Sequence, residues 1–206
     1  MVEINPFLAI APKKEHKLIG LDKKKVRDFA KQLAKGGSIV VISGSHGSGK
    51  SAVSLKIEKE LPKMIKKIKL VCSPSLAEEL KGLKAKRRNV VFIEKFSMCL
   101  ALGESTLRNI LDMVGSMLDK GVSFVVTSTP ELTATMPFLS DKLKHMLVFD
   151  IPSMSLEDAK QFIASRLGGG LGPFTENEIL QIWKTSNGNP KMMLLLCASL
   201  YEAKSG

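Results

Sequence analysis

Apolar positions along the chain follow two different periods. Short, mostly apolar blocks at Ser38–Ser43, Ile68–Cys72, Val90–Ile93, Ser123–Thr127 and Met146–Ile151 alternate with longer stretches whose apolar residues recur every three or four positions. A block of this kind marks a strand covered on both faces, and the longer period marks an amphipathic helix. The helical stretches are Leu21–Lys35, stopped by Gly36-Gly37, then Lys50–Leu61, stopped by Pro62, then Ser75–Leu83 and Glu104–Lys120. Helices between doubly apolar strands predict an α/β fold: a five-stranded parallel sheet covered by helices on both faces. Beyond Pro152 the strand blocks stop. Ser155–Leu167 and Thr175–Thr185 open with Ser-Leu-Glu-Asp and Thr-Glu-Asn-Glu, which are helix-start patterns, and Asn189–Ala203 has a proline in its first turn. Gly168–Gly172 and Asn187-Gly188 separate these helices, so a small three-helix unit follows the sheet. An irregular arm containing Asn5-Pro6-Phe7 and Pro12 precedes everything.

The longest apolar runs fall far short of the roughly 20 residues that a membrane helix needs, and the start shows no cleavable leader pattern, so a cytoplasmic protein without membrane partners is expected. Cys72, Cys99 and Cys197 are far apart in apolar contexts, without a CxxC, and read as free buried thiols. His16, His46 and His145 lack metal-ligand spacing. The formal net charge of +11 fits a nucleic-acid partner bound without sequence preference. Lysine runs such as Lys23-Lys24-Lys25 and Lys63 to Lys69 fit solvated helix faces equally well.

Charge and pattern leave the chemistry to one loop. Gly44-Ser45-His46-Gly47-Ser48-Gly49-Lys50-Ser51 has the GxxxxGK[ST] spacing, leaves a strand and opens a helix. Glycines let consecutive backbone N–H groups curl around phosphate oxygens, and the helix N-terminus adds partial positive charge. Lys50 then reaches the terminal phosphates and Ser51 ligates Mg²⁺, so a nucleotide with Mg²⁺ is the expected ligand. The strand at Val90–Ile93 runs into Glu94-Lys95, where a nucleotide hydrolase needs one acid for magnesium and a second to orient water. Glu94 is a candidate for either role, depending on strand register. Lys95 is no general base near neutral pH, so one carboxylate is missing. Glu104, at a helix start, is the nearest other acid and suits plain helix-dipole stabilisation.

With phosphate loop, acidic strand, polar-ended strand and helical lid in this order, the chain resembles the AAA+ P-loop ATPases over nearly its whole length. Within them it is similar to the branch of replication initiators and general-secretion-type ATPases, in which an Asn-Pro-Phe arm precedes the phosphate loop, as Asn5-Pro6-Phe7 does here. The resemblance implies a nucleotide-binding domain over residues 1–152 and a lid over 153–206. It implies a first sensor at the end of the fourth strand, assigned to Thr129 with Thr127 as second choice. It also implies a second sensor in the lid, where Gly188-Asn189-Pro190-Lys191 carries lysine in place of the family's arginine. Strand-end hydroxyls that cap turns, and an exposed first-turn lysine, would look the same. An arginine finger has only Lys142 or Lys144 as substitutes. Arg87-Arg88 binds a partner or flanks the acidic strand, and Trp183 reads as lid core.

Every departure from the family pattern points toward less catalysis. The expected function is an ATP-dependent switch acting on a protein or nucleic-acid partner, with weak or conditional hydrolysis. The alternative is an active oligomeric ATPase motor associated with DNA. A small-molecule kinase lacks its lid arginines, Arg166 excepted, and an intact loop speaks against a vestigial module.

Overall fold

The computed structural model describes residues 5–8, 19–20 and 22–205. Pro12, His16 and Leu21 lie outside the described residues. Two compact units emerge: Asp22–Ser45 with Val53–Ile151, and His46–Ala52 with Pro152 onward and the described part of the first 21 residues.

The first unit is the sheet. Strands β1 (Ile39–Ser43), β2 (Lys66–Val71), β3 (Asn89–Glu94), β4 (Ser123–Ser128) and β5 (Leu147–Asp150) are ordered β2-β3-β4-β1-β5, and all four ladders are parallel. Buried β1 and β4 show no alternation because both of their faces are covered. On one face Ile39, Val41, Val91, Ile93, Phe124 and Val126 pack with helices α3 (Leu76–Gly82), α4 (Glu104–Asp119) and α5 (Pro130–Leu139). On the other, helix α1 (Lys23–Lys35) packs against β1 and β4. Asp22 caps α1, accepting from the N–H groups of Lys24 and Lys25.

Three features depart from expectation. Lys66, Lys67 and Lys69 belong to β2 rather than to a helix face. This edge strand pairs with β3 alone, so solvent admits its lysines, and Lys69 pairs with Glu58 of α2 (Lys50–Glu60) at 2.8 Å. Helix α5 was not foreseen: Pro137 and its threonines depress helix propensity, and burial of Leu132, Thr133 and Met136 decides instead. Finally, Cys72 and Cys99 are not free thiols but form a disulfide, with a Cα–Cα separation of 5.9 Å. Cys72 extends the β2–β3 ladder through its N–H to Glu94 O, and Cys99 returns on a 3-10 segment, Phe96–Leu102, which brings the two together despite a separation of 27 residues. Such bonds form and persist in oxidising environments. Cys197 is free and buried, its thiol pushed up to about 12 by desolvation. Among the described residues no helix is long and apolar enough to cross a membrane.

The second unit holds helices α6 (Leu156–Arg166), α7 (Glu176–Ser186) and α8 (Pro190–Ser205) around a core of Ile163, Ile179, Met193, Leu194 and Cys197. The arm is part of it. Phe7 is 1% exposed, its ring 5.7 Å from Phe174 and 6.0 Å from Tyr201, and Asn5 donates to Ala198 O and Glu202 Oε1. Trp183 lies against this core and donates its indole N–H to Met154 O at 2.8 Å. Thr175 and Glu178 form a reciprocal capping box at the start of α7.

Reducing the disulfide should cost about 2–4 kcal/mol, because it releases a long closed loop in the unfolded chain. Urea unfolding with and without reductant reads this, and Cys72→Ala/Cys99→Ala should be insensitive to reductant. Glu178 is pushed down to about 2 from its ordinary 4.5 by the Lys204 ammonium first and the Thr175 N–H second. A folded-state value below the unfolded one stabilises above pH 4.5, and the contribution is lost as pH falls from 4.5 toward 2. Urea midpoints measured between pH 6 and pH 2 should therefore fall less steeply for Glu178→Gln than for the wild type.

Candidate nucleotide site

At the carboxyl ends of its strands the sheet unit carries Ser43, Glu94, Thr127 and Ser128. β1 lies between β4 and β5, which is the topological switch point where ligand crevices form in open α/β sheets. Ser43 stands in register with Ser128 and Asp150, and the Gly44 N–H donates to Ser128 O at 3.3 Å.

Glu94 is the last residue of β3 and half-buried. Lys95 follows with an exposed side chain and a left-handed backbone, φ 56°, which is uncommon for lysine. The Thr127 hydroxyl fixes that turn by accepting the Lys95 N–H at 2.8 Å. Thr129 precedes α5 as its N-terminal cap residue. The Glu131 carboxyl is held below its ordinary value by its own backbone N–H first and by the Thr129 hydroxyl second. Both strand-end threonines thus have local structural tasks.

The remaining candidates fall on the surroundings. Glu104 opens α4 and pairs with Arg108 at 2.8 Å. The stem of Lys142 covers Gly115 and its ammonium pairs with Asp119, while Lys144 pairs with Asp141 at 2.9 Å. Arg87 donates to Lys35 O and its stem lies against Gly36 and Gly121, so it flanks the sheet.

The helical unit includes His46–Ser51 of the glycine-rich loop. Gly47 and Gly49 adopt φ of 81° and 100°, and a Cβ placed on Gly49 would meet nothing within 4 Å, which leaves an open cradle there. Ser48 Oγ is buried without a hydrogen-bond partner. An orphaned hydroxyl beside an open glycine cradle at the N-terminus of α2 fits phosphate oxygens. Lys50 and Ser51 are the first residues of that helix, and burial lowers the Lys50 ammonium below its ordinary value. A polyanion beside it would favour the charged form again.

The structure brings Lys191 and Asn189 onto this loop. Asn189 Oδ1 caps α8, accepting the N–H groups of Lys191 and Met192 at 3.0 and 3.2 Å, while its Nδ2 donates to His46 O at 2.8 Å. The Lys191 N–H donates to Gly47 O, and Lys191 Nζ lies 3.1 Å from His46 Nε2. A Cβ on Gly47 would stand 2.6 Å from Lys191 Cβ, so the lysine's approach itself requires glycine there. Sequence reasoning named Ser48 within the loop but missed Asn189 as a contact to it. Asn before Pro is a legible helix cap, but its second bond to the loop carbonyl has no sequence signal.

No protein-family model and no curated protein matches the sequence. Among solved structures the chain is similar to the Orc1 protein of Aeropyrum pernix in complex with DNA, at 14% identity over 96% of this chain and 64% of that one, with a TM-score of 0.69. A Walker-type ATPase of Pyrococcus abyssi aligns at 13% identity over 98% of this chain and 72% of that one, TM-score 0.64. RuvB of Thermotoga maritima, a Holliday junction branch migration motor, aligns at 19% identity over 91% and 64%, TM-score 0.55. The fold is that of the AAA+ P-loop ATPases. The chain spans just under two thirds of the Orc1 and RuvB chains, with 64% of each covered.

Asn189→Ala removes the cap and the bond to the loop together, and should cost about 1–2 kcal/mol. Thermal unfolding measures the loss, and Asn189→Ser, which retains a capping oxygen, should recover most of it.

Proposed function

We propose that the protein binds ATP and ADP with Mg²⁺ through Gly44–Ser51 and acts as a nucleotide-dependent switch on a protein or nucleic-acid partner, with residues 153–206 as its lid. The observation that carries this reading is the direct bonding of Asn189 and Lys191 to His46 and Gly47. Any displacement of the loop backbone on binding phosphate must be followed or resisted by the first turn of α8, which supplies the differential contact that a switch requires. Mg-ATP supplies a terminal phosphate that ADP lacks. Lys50 and the loop N–H groups hold phosphate charge, Ser51 is a magnesium ligand, and Lys191 senses the terminal phosphate. Glu94 is the single acid of the second motif, and Thr129 is the polar residue after β4.

Slow hydrolysis follows from Lys95. Its backbone is pinned by Thr127 and its side chain is a cation, so no second carboxylate follows Glu94 to orient water. The pairing of Lys142 with Asp119 and of Lys144 with Asp141 also speaks for a switch over a motor, because both finger substitutes are engaged within their own chain. The net charge of +11 supports a polyanionic partner, as does the likeness to an Orc1 protein in complex with DNA. Contacts to such a partner would go mainly to phosphates.

Calorimetry of ATP and ADP binding alongside phosphate release, with and without DNA, tests the reading. Mg-dependent binding with negligible release is expected under both conditions. Lys50→Ala should weaken ATP binding by roughly 10–100-fold, the loss expected from removing a charge-assisted contact. Substantial release, or release switched on by DNA, would replace the switch with a motor whose missing group comes from a neighbour.

A further inference from the structure

Lysine at position 191 keeps the positive charge of an arginine but not its rigid planar fork, and a long flexible side chain must be held if it is to meet a phosphate reproducibly. The structure shows what holds it. The stem of Lys191 is laid along Gly47, where a Cβ would stand 2.6 Å from its Cβ and 3.2 Å from its Cδ, and the ammonium ends 3.1 Å from His46 Nε2. His46 is in turn tied to the same helix end, since its carbonyl accepts from Asn189 Nδ2 at 2.8 Å.

We propose that His46 is a positioning residue for nucleotide recognition: with its ring proton on Nδ1, it accepts one N–H of Lys191 through Nε2 and fixes the ammonium at the phosphate loop. An ammonium has three donors and no acceptor, so the bond to His46 leaves two for phosphate oxygens. The imidazole thus supplies the orientation that the guanidinium fork would otherwise contribute, and position 46, a variable place in the loop spacing, is coupled to position 191. The inference rests on the reading that Lys191 touches the terminal phosphate, and its effect falls on ATP rather than ADP.

The test is a double-mutant cycle on ATP and ADP affinity, read by calorimetry in the presence of Mg²⁺, using His46→Ala, His46→Gln, Lys191→Met and the double variant His46→Ala/Lys191→Met. His46→Ala should weaken ATP binding about threefold to tenfold more than it weakens ADP binding, the span expected for the net loss of one hydrogen bond. His46→Gln, which offers an amide oxygen as acceptor, should restore most of the loss. The double variant should bind ATP no more weakly than Lys191→Met alone. In the nucleotide-free protein, the ¹⁵N signature of the His46 ring should report an unprotonated, hydrogen-bonded Nε2 whose shift changes in Lys191→Met. Additive losses, equal losses for ATP and ADP, or an imidazole signal indifferent to Lys191→Met would overturn the proposal. If Lys191→Met leaves ATP affinity unchanged, the sensing role of Lys191 fails. If Lys191→Met weakens ATP binding and His46→Ala does not, the role of His46 fails alone.

Discussion

The central strands of the parallel sheet, β1, β3 and β4, leave neither of their faces to water. Val40, Val41 and Ile42 of β1 are wholly buried, as are the neighbouring residues of β4, and apolar side chains must fill both sides of each. Chemistry is therefore excluded from the strands and pushed to their carboxyl ends. Ser43, Glu94, Thr127 and Ser128 appear there within a residue or two of one another's strand ends. The strand order places β1 between β4 and β5, and the glycine-rich loop follows its carboxyl end.

That constraint also decided what the sequence could disclose. The blocks of β1, β3 and β4 stood out because both of their faces are apolar, and shorter apolar runs marked β2 and β5. A strand with two apolar faces carries no alternation, however, so nothing in the pattern could fix which residue of Glu94-Lys95 ends β3. The edge strand was misread in part because its lysines look like a helix face until its single partner is known. Helix α5 stayed hidden because Pro137 and threonine weaken the local signal while Leu132 and Met136 supply the burial. The disulfide was hidden for another reason: Cys72 and Cys99 meet only through the turn at Lys95, which depends on a hydroxyl from β4.

The candidate site was legible where it depends on backbone freedom and opaque where it depends on partners. Gly47 and Gly49 announce positive φ, and Lys50-Ser51 announce a phosphate helix. Nothing in the spacing says that Gly47 is also required by the stem of Lys191, or that Asn189 serves a helix end and a loop carbonyl at once. These double uses concentrate where the chain departs from the arginine-bearing pattern. The stem, backbone and head of Lys191 are each held against this loop.

The turn after Glu94 shows the opposite economy. Its lysine sits in a left-handed conformation that its own side chain disfavours, and such a conformation persists only where the surroundings over-determine it. They do so here through the Thr127 hydroxyl on the Lys95 N–H, the Cys72 N–H on Glu94 O, the buried Phe96 ring and the disulfide at Cys99. A backbone fastened at four points cannot rotate Lys95 away and bring another group into its place. The turn thus sets a cation, not a second carboxylate, directly after Glu94 and holds its backbone in place.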